Sequence, residues 1–125
     1  MNEYIMFWKR AFDFSGRSRR REFWIPWAIH AFGGTLIWLL SLILFSDILF
    51  ITMCIVSLAG IVPGIAISVR RLHDLGYSGA WLLIWLLPFG GVILLIAHFM
   101  DGNIAPNRYG EDPKGRTPVT LQGNA

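Results

Sequence analysis

Residues 23–69 read FWIPWAIHAFGGTLIWLLSLILFSDILFITMCIVSLAGIVPGIAISV, a run in which Asp47 is the single charged side chain. A helix needs about 20 predominantly apolar residues to cross the hydrocarbon core of a bilayer, so this stretch is long enough for two crossings. The expected spans are 24–45 and 48–69. Ser46-Asp47 is the one polar break between them and predicts a tight antiparallel hairpin. Asp47 marks its tip, because a carboxylate is costly at mid-bilayer and cheap at the interface. A second charge-free run, 79–100, predicts a third span over 80–99. Pro88 and Gly90-Gly91 lie near its centre, and proline in a helix interior implies a kink. A re-entrant hairpin is the alternative for this segment. Soluble core helices are a poor reading of these runs, since almost nothing amphipathic is left to cover them.

Composition agrees. Of 125 residues, 54% are hydrophobic and 15% charged, against about 25% charged in ordinary soluble domains. Mean hydropathy is +0.52, yet the isoelectric point is near 9.5. Disorder is excluded by the apolar content, and a disulfide scaffold by the single cysteine, Cys54. Nucleic acid is not an expected partner, because the basic balance comes from few charges on an apolar chain. The fold class is therefore an all-α membrane protein: an N-terminal interfacial amphipathic helix followed by three transmembrane helices. One domain covers 1–113, and 114–125 is expected to be a disordered tail.

Residues 1–14 do not read as a cleavable signal peptide, since the first apolar span is too long and begins too late. On a helical wheel Tyr4, Ile5, Trp8, Ala11 and Phe12 share one face, with Met6 as the misfit. That pattern suits a helix lying in the headgroup layer, or one packed on the cytoplasmic ends of the spans. Lys and Arg accumulate on the cytoplasmic side. Six lie in the first 23 residues, none in the 46–47 turn, two at Arg70-Arg71 and three in the C-terminal segment. With three spans the N-terminus is cytoplasmic, the C-terminus is outside, and eight of the eleven basic residues share one face. A re-entrant third segment puts all eleven together. Trp8, Trp24, Trp27, Trp81 and Trp85 fall at the same expected interface and read as anchors.

Within the spans, Gly60, Gly64 and Ser68 recur at four-residue spacing, the pattern of close helix packing in lipid. They make the second span the expected packing helix, bent at Pro63, with Gly33-Gly34 as a facing notch. A partner can be the same chain, another copy or another membrane protein. His30 is expected to be neutral and satisfied by a neighbouring backbone or hydroxyl group, and Cys54 to be a small apolar filler. No Asp, Glu, Lys or Arg lies well inside a span, which counts against an ion-coupled carrier.

Three polar motifs stand out. In FSGRSRRREFW, residues 14–24, Gly16 gives a turn and Ser18 is a candidate helix cap. Glu22 falls in the first helical turn, at the positive end of the dipole. Arg17, Arg19, Arg20 and Arg21 signal topology, and such a cluster attracts anionic headgroups by about 1 kcal/mol per basic residue. In RRLHDLGYSG, residues 70–79, Arg70 or Arg71 can pair with Asp74 along a helix face. Gly76 suits the helix stop and Ser78 the next cap. His73 beside Asp74 invites a catalytic reading, but two groups are too few for a metal site. The third motif, DGNIAPNRYGEDP at 101–113, is turn-rich and contains Asn107, Arg108, Tyr109 and Gly110.

Together, FSGRSRRREFW, SVRRLHDLGYSGAW and DG…NRYGEDP resemble the bacterial domain-of-unknown-function family 805, the YhaH-type small inner-membrane proteins. The resemblance covers roughly residues 4–113. It implies a multi-pass inner-membrane protein and no established activity. Three functions are open. The first is a non-enzymatic protein whose Arg17, Arg19, Arg20, Arg21, Arg70 and Arg71 contact anionic lipid or a partner. The second is a subunit of an oligomeric transporter or channel, lined by Thr35, Ser57 and Ser68. The third is an interfacial enzyme using His73, Asp74, Asp101 and Arg108, which requires a re-entrant third segment. No phosphate loop, Cys–His spacing or nucleophile elbow is present, so no cofactor or metal is expected.

Overall fold

A computed structural model describes residues 2–116. Helix α1 spans Asn2–Lys9, α2 Arg20–Ile43, α3 Asp47–Ala59 and α4 Ile61–Asp74. A 3-10 helix, Gly79–Leu86, and α5, Gly90–Phe99, complete the chain's regular structure. The described residues hold no strand, only one isolated bridge between Asn107 and Gly110.

Two long apolar helical stretches, Arg20–Ile43 and Asp47–Asp74, cover the segments expected at 24–45 and 48–69 and extend beyond them toward the polar motifs. At the turn between them, Ser46 caps α3 by accepting from the Leu49 N–H at 3.4 Å, and Asp47 opens the helix at its positive end. Only 11% of the most apolar 18-residue window of α2 is buried, and 6% of that of the continuous α3–α4 rod. Phe45, Ile48 and Ile43 stand 93%, 77% and 69% exposed. Helices this apolar with so little protein around them need an apolar solvent, which fits a bilayer and not a soluble core.

The two helices of the rod meet at Gly60, which keeps helical angles, φ −70° and ψ −13°. A Cβ on Gly60 would lie 3.1 Å from His30 Cε1, so a glycine there lets α2 approach. Gly64 and the Gly33-Gly34 pair have nothing within 4 Å of an added Cβ. The packing stripe thus makes one tight contact, at Gly60, and the Gly33-Gly34 notch is unused within the chain. His30 differs from expectation too. Its ring sits 5.5–5.8 Å from the rings of Tyr4, Phe7 and Trp8, and its buried Nε2 has no partner. Tyr4, Phe7 and Trp8 seat α1 against α2, while Ile5 and Phe12, expected on the same apolar face as Tyr4 and Trp8, are 48% and 82% exposed.

The third segment departs from a single span. Its 3-10 arm and α5 are about 16 Å and 15 Å long at 2.0 and 1.5 Å per residue, so each reaches about half of a 30 Å core. Between them Phe89 adopts a left-handed conformation, φ 64°. A Cβ on Gly90 would stand 1.6 Å from the Ile84 carbonyl oxygen, so only glycine lets the chain turn back this tightly. Pro88 and Gly90 therefore produce a reversal, where a kinked continuous helix was expected. The chain returns to where it started: the Asn103 N–H donates to the Asp74 carbonyl at 2.9 Å, and Trp24 Nε1 donates to the His98 carbonyl at 3.2 Å.

Candidate functional site

The return of the third segment brings all three polar motifs to one end of the helix pair. Helix α4 ends in a Schellman motif: the Tyr77 N–H donates to the Leu72 carbonyl at 2.9 Å and the Gly76 N–H to the His73 carbonyl at 3.0 Å. Gly76 has φ +83°, the left-handed conformation this stop requires. The stop presents Asp74 at the centre of a buried polar knot.

Arg17 spends its whole guanidinium there. Its Nε donates to Asp74 Oδ1 at 2.9 Å. Nη1 donates to the carbonyls of Ala105 and Gly110 at 3.1 and 3.2 Å. Nη2 donates to the carbonyls of Asn103 and Asp74. Arg71 closes on the other carboxylate oxygen of Asp74 through Nη1 and donates to the Met100 carbonyl through Nη2. Arg70 does not reach Asp74. It donates from Nε to Ser18 Oγ at 3.1 Å and from Nη1 to the carbonyls of Arg10 and Asp13. The relative exposures of Arg17, Arg70 and Arg71 are 7%, 2% and 0%. These three arginines, expected to contact lipid or a partner, are internal struts: the 100–110 segment folds over Arg17 and Arg71, and the 10–18 elbow over Arg70.

Ser18 is likewise not a cap. Helix α2 begins after Arg19 without a side-chain cap, because the Ser18 hydroxyl is taken by Arg70 and its N–H by the Arg70 carbonyl at 3.2 Å. Glu22 does occupy the first turn. Ser78 does cap the following 3-10 helix, accepting from the Ala80 N–H at 3.3 Å.

His73 stacks flat on Tyr109, centroids 3.7 Å apart and planes 4° apart, with Arg108 over the far ring at 4.7 Å. Its Nδ1 lies 3.1 Å from the Gly16 carbonyl, where φ is +75°. Asn107 ties the third motif to the second, donating from Nδ2 to the His73 carbonyl at 2.9 Å. Its Oδ1 accepts from the Tyr109 N–H, and its backbone bridges Gly110. So His73, Asp74 and the third motif do meet. Each of these groups is already engaged, and Asp74 is screened by two guanidinium groups. Among the described residues, no group of three or more His, Cys, Asp or Glu side chains is placed to hold a metal.

Sequence reasoning does not single out Gly102, Asn103 or Asp112. A Cβ on Gly102 would stand 1.9 Å from Asp74 Oδ2, so the glycine is what admits the carboxylate. Asp112 is buried 3.9 Å from Arg17 Nη2 and accepts from Arg116 Nε at 2.8 Å. The Arg116 hydrogen bond holds the Asp112 carboxyl well below the usual carboxylate range. Asp101, at the rim, is held at about 2 by Lys114, with Gly102 N–H and Arg116 adding to the effect. Lys114 and Arg116 belong to the stretch expected to be disordered. The structure pairs them with Asp101 and Asp112, and the rest of that stretch, 117–125, lies outside the described residues.

At the rim, Arg19, Arg20 and Arg21 remain toward the surface. Arg21 is 78% exposed and lies 3.2 Å from Glu3. The Arg20 side chain is 44% exposed and lies 3.6 Å from Asp101.

Beside the knot, α2, α4 and the hairpin of the 3-10 helix and α5 line an open cleft of about 600 Å³, which includes Phe23, Trp27, Gly64, Ser68, Trp85 and His98 in its lining. A second cleft of about 460 Å³ shares Phe23, Trp27, Gly64 and Ser68 and reaches His30 and Gly60.

A family model described as a protein of unknown function, DUF805, matches residues 11–111. The inner membrane protein YhaI of Escherichia coli K12 is 40% identical over 115 residues, covering 91% of this chain and 97% of the relative. The inner membrane protein YhaH of the same strain is 31% identical over 118 residues, covering 91% and 98%. The uncharacterized protein YiiR is 41% identical over 95 residues, covering 67% of this chain and 59% of the relative. No solved structure matches the chain.

Proposed function

The chain belongs to the DUF805 family, whose description assigns no activity, and on that footing we propose that it is a non-enzymatic inner-membrane protein that binds anionic lipid at its arginine-rich elbow. In this reading α2 and the α3–α4 rod cross the bilayer, and the third segment dips in and returns. Both ends of the described chain then lie on the cytoplasmic side. All eleven Lys and Arg residues fall there, the strongest bias the sequence allows under the positive-inside rule.

The observation that carries the proposal is the partition of the arginines. Arg17, Arg70 and Arg71 are buried on internal acceptors, whereas Arg19, Arg20 and Arg21 are exposed at the rim, where their contacts with the Pro113 and Phe99 carbonyls, Asp101 and Glu3 leave one side of each open. The knot then has a mechanical role: it clamps the 10–22 elbow and the 100–116 segment so that these three charges face the headgroups. Catalysis gains no support from groups already neutralised by ion pairs, since general acid–base work needs a free group with a tuned pKa. Nor do the hydroxyls favour a channel, because Thr35 and Ser68 donate to their own helices at the Ala31 and Gly64 carbonyls.

The test replaces Arg19, Arg20 and Arg21 together by Gln and measures phosphatidylglycerol co-purifying in mild detergent. Each lost charge removes about 1 kcal/mol of surface attraction, so retained anionic lipid should fall by well over tenfold. Unchanged retention refutes the lipid-contact reading. A reporter fused to the C-terminus should report the cytoplasm, and an external signal refutes the re-entrant topology.

A further inference from the structure

The knot accounts for most of the buried polar groups, but not for His98. His98 is 4% exposed and lies in the wall of the 600 Å³ cleft. Its Nδ1 is 2.5 Å from the Leu94 carbonyl. A carbonyl can only accept, so Nδ1 carries the proton, and in the neutral ring Nε2 is left as a lone-pair acceptor. That Nε2 is buried without a partner. An unpaired buried acceptor is costly, so a donor on a bound molecule would relieve it.

The cleft has a matching polarity. His98, Phe23 and Ser68 are at its end nearest the knot, while Ile61, Leu86 and Gly91 lie at the end toward the turn of the hairpin. Its volume falls within the range of about 300–1,000 Å³ usual for small-molecule sites, and its walls are apolar apart from the His98 end. We infer that the cleft between α2, α4 and the re-entrant hairpin is a binding site for a single long-chain lipid bearing a free hydroxyl, which donates to His98 Nε2 once the ring tilts toward the cleft, while the chain runs toward Leu86. This deepens the lipid-contact reading by naming a site and a chemistry distinct from the arginine rim. A plain long-chain alcohol and a lysolipid both supply that chemistry.

The test uses photo-crosslinking on the full-length protein in detergent. One probe is a sixteen-carbon alcohol carrying a chain diazirine, about the length of an ordinary acyl chain. A lysophosphatidylglycerol with the same chain is the second probe, and the methyl ether of the alcohol is the control. Labelling of cleft residues such as Trp27, Trp85 and Leu94 should exceed that by the ether about fivefold, the worth of about one hydrogen bond. The hydroxyl probe that labels more strongly identifies the source. His98→Phe keeps the stack on Phe23, 4.2 Å away, and should reduce labelling to the ether's level. Gly64→Leu is the second variant. Its side chain meets nothing within 4 Å at Cβ, so it enters the cleft without displacing a neighbour and should abolish labelling. Replacing Arg19, Arg20 and Arg21 by Gln should leave alcohol labelling unchanged, so the rim and the cleft fail separately. Equal labelling by alcohol and ether, or labelling unaffected by both His98→Phe and Gly64→Leu, overturns the inference.

Discussion

Replacing Asp74 with Asn tests the knot at its centre. The substitution keeps size and shape and removes one charge. In the native protein, Asp74 faces Arg17 Nε at 2.9 Å and Arg71 Nη1 from its two oxygens, and its side chain is 3% exposed. Two guanidinium groups that stay protonated at any ordinary pH would then be buried beside a neutral amide. The nearest carboxylate left to Arg17 is Asp112, at 3.9 Å. Unit charges about 4 Å apart attract by about 4 kcal/mol at an effective dielectric constant of 20. Removing one partner of a buried ion pair costs about 3–5 kcal/mol by direct measurement in other proteins. The two figures agree, so Asp74→Asn should lose about 3–5 kcal/mol. Reversible denaturation in mixed micelles, followed by near-ultraviolet circular dichroism, measures this. Trypsin cleavage after the exposed Arg108 should accelerate in parallel, because the 100–116 segment loses its anchor. Asp47→Asn is the matched control: it removes an exposed charge at a helix start, worth about 0.3–1 kcal/mol. If Asp74→Asn costs no more than Asp47→Asn, the knot is not what holds the third motif.

Three further outcomes follow from the same geometry. Gly102→Ala places a methyl group 1.9 Å from Asp74 Oδ2 and should lower stability by about 1–3 kcal/mol, as overpacking does, read in the same denaturation assay. Gly90→Ala collides with the backbone oxygen of Ile84 at 1.6 Å, so the hairpin must open; a cysteine introduced at Leu94, which is 8% exposed, should become more accessible than in the parent protein. The Asp101 pKa lies at about 2, lowered chiefly by Lys114, and that of Asp112 is lowered chiefly by Arg116. Carboxylates with lowered native pKa values stabilise the fold above their unfolded value near 3.8 and lose that contribution as protons bind below it. Protection of the 100–116 segment from an acid-active protease should therefore be full above about pH 5 and decline between about pH 4 and 2. A Lys114→Gln, Arg116→Gln double variant should flatten that decline.

The sequence by itself determined the class of solvent and the two long apolar helices. A run with one charge in 47 residues leaves no stable alternative to lipid, and Ser46-Asp47 marks the turn because polar groups are cheap only at the interface. The helix stop at Gly76 and the helix start at Ser78 were equally legible, since both are local backbone chemistry. What stayed ambiguous was the third segment, because Pro88 and Gly90 permit either a kink or a reversal. The choice depends on Gly90 passing the Ile84 oxygen and on Met100 and Asn103 finding partners at Arg71 and Asp74.

Only the tertiary structure decided what the arginines do. A basic residue beside a membrane looks the same in sequence whether it faces headgroups or carbonyl groups. Arg17 and Arg19 are two positions apart, yet one is enclosed by Asp74, Ala105, Asn103 and Gly110 while the other stays at the rim. Both reach the distant third motif, Arg19 at the Pro113 carbonyl, but of the two only Arg17 is covered by it, and no local pattern encodes a burial produced by a segment that distant. The same holds for His98, whose missing donor becomes visible only once α5 is folded back against Phe23.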